Sequence, residues 1–556
     1  MNEALHPDDL HHATVLEIVA DAIPEAPALI QGDRVVTYAD LDARASRLAA
    51  ALTGAGLDVQ ARVAIDLYNS NEWLESYYGV LKDRFVPVSI NYRYLDDELR
   101  HLLYNSESEA LIYHASMADR VVPVAKAKGM KIIVQVDDVG GADVPDGVVS
   151  YDELIGSSQE APRTRRRADD FVMWYTGGTT GIPKGIVIPQ GRSAAMSVSP
   201  EGRLRTLGRF SDPPESIDAD LGVSARKLLS DGTRPIAIPA APLMHSTAAA
   251  YAGPAIIACG GAVVTLEGRT FDADELFAAV DRNRVSTIAI VGDAFAVPMA
   301  KALEARAAAG QPYDGSSIKT IYSAGVVWSA DVKQRLLEHL PGAMLVDNCG
   351  SSEGAWYGSS IVRKGDVATS SSFVPAPGVM VLDDDGAPMP PGTGRPGILA
   401  SPTATKGYHN DDAKTAANFR MIDGEWYTTP GDLGVLNADG TLTLVGRGTN
   451  VINTGGEKVF PEEVDDAVKA LPEVDDCLVI GTPDAQYGQI VTAVVQRVPG
   501  SSLSEIDVTE WVRGRLARYK APRRVLFVDE VPRLPNGKAD YPRARELAGA
   551  LEAGAK

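Results

Sequence analysis

The run Tyr175-Thr176-Gly177-Gly178-Thr179-Thr180-Gly181-Ile182-Pro183-Lys184-Gly185 constrains this chain more than any other feature of it. It follows Phe171-Val172-Met173-Trp174, a short apolar run that predicts a buried strand entering from Asp169-Asp170. Glycine reaches backbone conformations closed to residues with a Cβ, and it lets main-chain N–H groups approach an anion. Thr176, Thr179, Thr180 and Lys184 add donors, and no carboxylate interrupts them. Such a loop suits phosphate oxygens. It is not a Walker A loop, which requires G-x-x-x-x-G-K-S/T, because Lys184 follows Pro183 and precedes Gly185. The plain structural alternative is a flexible Gly/Thr turn between a strand and a helix.

At 556 residues the chain divides into domains. A net charge of −21 argues against non-specific nucleic-acid binding and requires any nucleotide site to concentrate local positive charge. Cys259, Cys349 and Cys477 are scattered, without the spacing of a zinc site or a disulfide framework. The acidic start, Met1 to Asp9, has no apolar core of a signal peptide. No apolar run reaches the roughly 18 residues of a membrane span; the stretch 248–264 is broken by Gly253, Pro254, Gly260 and Gly261. A cytoplasmic protein is expected.

The first part alternates helices and strands as a layered α/β domain does. Thr37 to Asp40 has the form of a helix N-cap, and Leu41, Ala45, Leu48, Ala49 and Leu52 keep helical spacing after it. Strands are predicted at 63–65, 86–88 and 110–113, and helices at 72–81 and 96–103. The basic cluster Arg163-Thr164-Arg165-Arg166-Arg167 reads as a solvated connection. Residues 195–235 show no sustained period and read as an insertion or lid. After Gly446-Arg447 the character changes to a compact α+β module. Pro461 suits the first position of a helix, Glu462 and Glu463 load its first turn with the charge its dipole favours, and Val464, Ala467, Val468 and Leu471 form its apolar stripe. The expected division is 1–447 and 448–556.

Further motifs follow the loop in order. Ser323-Ala324-Gly325 ends a predicted strand, and Asp347-Asn348-Cys349-Gly350-Ser351-Ser352-Glu353 follows it. Tyr427-Thr428-Thr429-Pro430-Gly431-Asp432 precedes Gly446-Arg447; Gly455-Gly456-Glu457-Lys458-Val459-Phe460-Pro461 opens the second module; Pro532-Arg533-Leu534-Pro535-Asn536-Gly537-Lys538 lies near its end. With the loop, this series resembles the adenylate-forming superfamily of acyl-CoA synthetases, luciferases and peptide-synthetase adenylation domains, over roughly residues 15 to 545.

The resemblance implies an α/β fold with a large layered N-terminal adenylation domain and a small, mobile α+β C-terminal domain. It implies a phosphate site at Thr176, Gly177, Gly178, Thr179, Thr180 and Lys184, and an adenine site at Ser323, Ala324, Gly325, Asn348, Cys349 and Gly350. It places Ser352 on the α-phosphate and Glu353 on Mg²⁺. Asp432 and Arg447 would hold the ribose, Gly455 and Gly456 would pass coenzyme A, and Lys538 would be the catalytic lysine. His245 falls where relatives place a His or aromatic beside the carboxylate substrate, and a core histidine is its rival. Three departures stand out: Cys349 replaces the stacking aromatic, Pro430 a Thr, and Thr449 a hinge Asp or Lys. They resemble a branch of actinobacterial fatty-acyl and steroid side-chain acyl-CoA synthetases.

The implied reaction is ATP-dependent activation of a carboxylic acid to an acyl-adenylate with release of pyrophosphate, then transfer to the thiol of coenzyme A. Alternatives are transfer to a carrier protein, an amine or nitrite, or a non-catalytic nucleotide-binding relative. A homodimer is left open. Ala248, Ala249, Ala250, Ala252 and Gly253, just after His245, either leave room for a bulky acid or pack closely within a helix.

Overall fold

The computed structural model describes residues 6–554 apart from 95, 178–182, 327, 448–449, 451, 455–456, 485–487, 517 and 535–536. The N-terminal helices start where their caps stand. Thr37 and Asp40 form a reciprocal capping box at the start of Tyr38–Gly54, and the Ser70 hydroxyl accepts from Trp73 N at the start of Asn71–Lys82. Gly129, at φ 73°, closes Ala118–Lys128 in the left-handed conformation that glycine adopts without strain.

Among the described residues the strands form sheets of 15, seven and five. The seven-stranded sheet is parallel except for its last pair, Phe171–Gly177 and Pro183–Pro189, which run antiparallel. The phosphate-loop run therefore joins strand to strand, with Gly177 opposite Pro183 at its base, and not strand to helix. The largest sheet has a parallel run, Pro27–Gln31, Ala262–Thr265, Ile236–Pro239, Thr287–Ile290, Thr320–Ala324 and Met344–Ser351, flanked by antiparallel strands.

These two sheets share one helical layer. A single buried cluster joins Val63 and Ile65 of one sheet to Ala237, Val263 and Ala289 of the other through Leu16, Leu41, Trp73 and Tyr78. Separate clusters cover the outer faces, so the arrangement is five alternating layers. Parallel strands buried on both faces explain the near-continuous apolar runs such as Ala110–His114, which is buried throughout.

Two sequence expectations need correction. Residues 195–235 are partly helical: they carry the end of Gln190–Val198 and the helices Pro200–Thr206 and Leu221–Ser230, separated by connections that interrupt any sustained period. The basic run 163–167 is solvated at Arg163, Thr164, Arg165 and Arg167, as expected, but Arg166 is buried and the run is tied down by ion pairs. Arg166 is buried and bidentate to Glu17 at 2.7 and 2.8 Å, Arg163 pairs with Asp21, and Arg165 with Asp9.

Residues after 450 build the third sheet, with Val474–Asp484 and Gly488–Arg497 as its long hairpin. Pro461–Lys469 lies where the sequence predicts a helix, and its apolar stripe and that of Glu505–Arg513 enter one cluster with Cys477 and Val525. The module touches the large body at named points. Lys301 pairs with Asp475 at 3.0 Å, and a Cβ on Gly446 would fall 2.2 Å from Glu462 Oε2. No described helix is long and apolar enough to cross a membrane.

Candidate active site

One cleft of about 2780 Å³ runs between the parallel sheet ends of the large body and the 450–554 module. Its lining includes His245, Ala324, Gly325, Asn348, Cys349, Gly350, Ser352, Asp432 and Lys538. The strands explain the convergence: Thr320–Ala324 and Met344–Ser351 are parallel neighbours, with Ala324 opposite Asn348, so both motifs emerge at the same sheet edge. Gly325 turns the chain away at φ 91°, in the left-handed region. A register shift between Cys349 and Gly350 bulges the next turn, and a Cβ on Gly350 would meet Ala355 O at 2.3 Å.

Asp432 stands opposite Arg447 in the antiparallel pair formed by Asp432–Leu436 and Leu442–Arg447, and its Oδ2 accepts from Tyr357 Oη at 3.0 Å. Asn348 lines the cleft; its Oδ1 accepts from Ser359 Oγ at 2.6 Å, while its buried Nδ2 has no acceptor among the described residues. Such an orphaned donor fits a ligand with acceptor atoms, a nucleotide among them. Ser323 is different: it is fully buried, and its Oγ accepts from Gly292 N at 2.9 Å, away from the cleft lining.

Glu353 accepts from Tyr408 Oη at 2.7 Å, and Tyr408 Oη in turn accepts from Asn418 Nδ2 at 2.9 Å. Lys184 Nζ donates to Asp411 Oδ2 at 2.6 Å. The segment around 403–412 thus holds both groups, and sequence reasoning missed it because neither Tyr408 nor Asp411 sits in a spaced motif. Among the described residues no set of three His, Cys, Asp or Glu groups could ligate a metal. A lone carboxylate beside phosphate oxygens nevertheless fits Mg²⁺, which takes one or two carboxylates and completes its shell with phosphate and water.

His245 stands at the N-cap position of the helix Ser246–Ala252, and its Nε2 has no partner among the described residues. Burial, with the positive charges of Lys538 and Arg93, pushes its pKa down to about 4, so it is neutral near pH 7. Lys538 follows Gly537 in a turn closed by Gly537 N to Leu534 O and Leu534 N to Lys538 O. The turn docks on the large body, where a Cβ on Gly537 would lie 2.7 Å from Ala294 Cβ. Ala248, Ala249 and Ala252 are core residues and only Ala250 of that group lines the cleft, so the small residues serve close packing. Cys349 is buried against Tyr357 and Phe373, and burial pushes its thiol pKa well up. Nothing is described for Gly178, Thr179, Thr180, Gly455 and Gly456, or for the side chains of Thr176, Gly177 and Arg447, so those expectations lie outside the described residues.

The model of the AMP-binding enzyme family matches residues 16–409, and that of the AMP-binding enzyme C-terminal domain matches 463–538. The chain belongs to the AMP-binding enzyme family. A medium/long-chain-fatty-acid–CoA/3-oxocholest-4-en-26-oate–CoA ligase of Mycobacterium tuberculosis is 36% identical over 549 residues, covering 98% of this chain and 97% of the relative. A 3-oxocholest-4-en-26-oate–CoA ligase of Rhodococcus rhodochrous is 36% identical over 550 residues, covering 97% and 96%. Among solved structures, ATP-bound MatB from Rhodopseudomonas palustris superposes with a TM-score of 0.78 at 25% identity, over 96% of this chain and 98% of that one.

In this AMP-binding enzyme the two matched regions meet across the cleft, with His245 from one and Lys538 from the other. Tyr357 and Tyr408, unforeseen from sequence, complete the polar groups around Asp432 and Glu353.

Proposed function

We propose that this AMP-binding enzyme activates a bulky apolar carboxylic acid, of the fatty or steroid side-chain class named in its relatives, and that Lys538, Lys184, Glu353 and His245 serve the chemistry. The enzyme is an AMP-forming acyl-CoA synthetase using ATP, Mg²⁺ and coenzyme A. The observation that carries the assignment of Lys538 and His245 is the shared cleft, where a lysine of the C-terminal module reaches the neighbourhood of a neutral histidine; Lys184 and Glu353 are not among its lining residues and are held by Asp411 and Tyr408.

A carboxylate oxygen attacks the α-phosphorus of ATP and expels pyrophosphate; no proton need move, because the acid is already ionised at neutral pH. The protein's work is to position the reactants and stabilise charge that grows in the transition state. His245, neutral, can donate one hydrogen bond to the substrate carboxylate without adding charge. Lys538 would stabilise charge on the reacting phosphate, and Asp432 and Arg447 would hold the ribose. Mg²⁺ bound at Glu353 would neutralise phosphate charge. Lys184, released from Asp411, would join the phosphates once the loop receives them. The thiol of coenzyme A then attacks the acyl carbonyl and expels AMP.

The boundary at 447–450 suits a hinge, since Lys538 reaches the cleft only while its module is docked in this orientation; turning the module would bring Gly455 and Gly456 to the acyl-adenylate. Cytoplasmic placement accords with three cysteines that are buried and free. The homodimer stays a proposal for light scattering. Pyrophosphate release is the test, assayed over fatty, steroidal and aromatic acids with and without coenzyme A. Thioester from a fatty or steroidal acid is expected, and activity confined to small aromatic acids would overturn the substrate class.

A further inference from the structure

The cleft that holds His245 is also lined by Arg205, Phe210, Tyr251, Tyr322, Val346 and Trp356. Arg205 lies in the last turn of Pro200–Thr206, inside the segment whose helices the sequence concealed. Its backbone is tied to the sheet, since Tyr322 Oη donates to Arg205 O at 2.6 Å. Tyr251 stacks on Tyr322, with ring centroids 4.7 Å apart and planes 4° from parallel. The guanidinium of Arg205 lies over the indole of Trp356, 4.9 Å from its centroid. A planar cation is thereby held against an aromatic wall.

Arg203, two residues earlier, shows what a structural arginine does here. It is buried, and it donates from Nε to Val198 O and from Nη2 to Asp218 O. Arg205 instead is exposed to the cleft, and among the described residues it forms no ion pair, in a chain where 74 acidic residues face 53 basic ones. A purely hydrocarbon ligand would strip water from that guanidinium and return no hydrogen bond. A ligand with an acceptor oxygen would replace the lost water.

We propose that Arg205 is a specificity-determining residue that donates to an acceptor oxygen at the end of the substrate remote from its reacting carboxylate. A large apolar acid with a distal carbonyl is therefore preferred to its deoxygenated counterpart. This rests on the reading of the cleft as the acyl site, and it assigns the far wall rather than the reacting end.

Thioester formation is measured for 3-oxocholest-4-en-26-oate, for the same acid without its 3-oxo group, and for decanoate. Wild type is compared with Arg205→Met, which keeps length without charge, and with Arg205→Lys. Wild type should favour the oxo acid over its deoxy counterpart by about tenfold or more in kcat/KM. Arg205→Met should erase that preference by raising KM for the oxo acid alone, leaving decanoate within about threefold. Arg205→Lys should restore part of it. An equal loss on all three acids, or a preference that survives Arg205→Met, overturns the assignment. Thioester from all three acids with no oxo preference in wild type overturns it while sparing the functional reading. No thioester from any of them overturns both.

Discussion

At the scale of single residues, Glu353 and Lys184 are each held by a side chain of one distant segment, Tyr408 and Asp411. Glu353 is visible because it closes a Gly-Ser-Ser-Glu turn in an ordered series. Tyr408, whose hydroxyl holds it at 2.7 Å, arrives from a distant segment with no spacing to announce it. The same is true of Asp432 with Tyr357 and of Lys184 with Asp411. Glu353→Gln keeps the shape and the tyrosine contact while removing the charge. Pyrophosphate release should fall about a hundredfold, roughly 3 kcal/mol of transition-state stabilisation. A variant within threefold of wild type would remove Glu353 from the metal site.

At the scale of elements, two short connections carry more than their composition suggests. The turn before Lys538 needs a glycine for two reasons: φ is 79°, and a Cβ would press on Ala294 at 2.7 Å. Gly537→Ala should displace the lysine from the cleft. Adenylation from ATP is expected to drop about tenfold or more, while conversion of supplied acyl-AMP with coenzyme A stays near wild type. Equal loss of both steps would mean that the turn serves folding alone. The strap at 163–167 is the second case. Its carboxylates, Asp9, Glu17 and Asp21, are remote in sequence, which is why the run read as solvated. Arg166→Met strips buried Glu17 of its bidentate partner, although Lys82 remains at 2.8 Å. Urea unfolding should show a loss of about 3 kcal/mol; a change under 0.5 kcal/mol would return the strap to the category of surface decoration.

At the scale of the whole molecule, burial sets how the protein answers acid. His12, at the start of the N-terminal helix, is buried, and burial pushes its pKa from 6.5 down to about 4. Its Nε2 lies 2.9 Å from Ser193 Oγ. Between those two values the unfolded chain binds a proton here that the folded one does not. The stability this site allows is therefore complete above pH 6.5 and is lost as pH falls toward 4. His12→Asn removes the titration. Whatever it costs at pH 7, the gap between wild type and variant should narrow by up to about 3 kcal/mol by pH 4. A gap independent of pH would show that the histidine does not carry this sensitivity.

The sequence by itself determined the layered α/β class, the order of the motifs and the family to which they belong. Those are local matters: strand and helix periods, caps such as Thr37 with Asp40, and glycines where backbone must turn or approach an anion. Tertiary structure alone decided which groups meet. Two parallel strands bring Ala324 beside Asn348, a docked module brings Lys538 into the cleft with His245, and the short helix Pro200–Thr206 brings Arg205 over Trp356. Contacts between residues far apart in the chain depend on how layers pack, and no local pattern of residues encodes that packing.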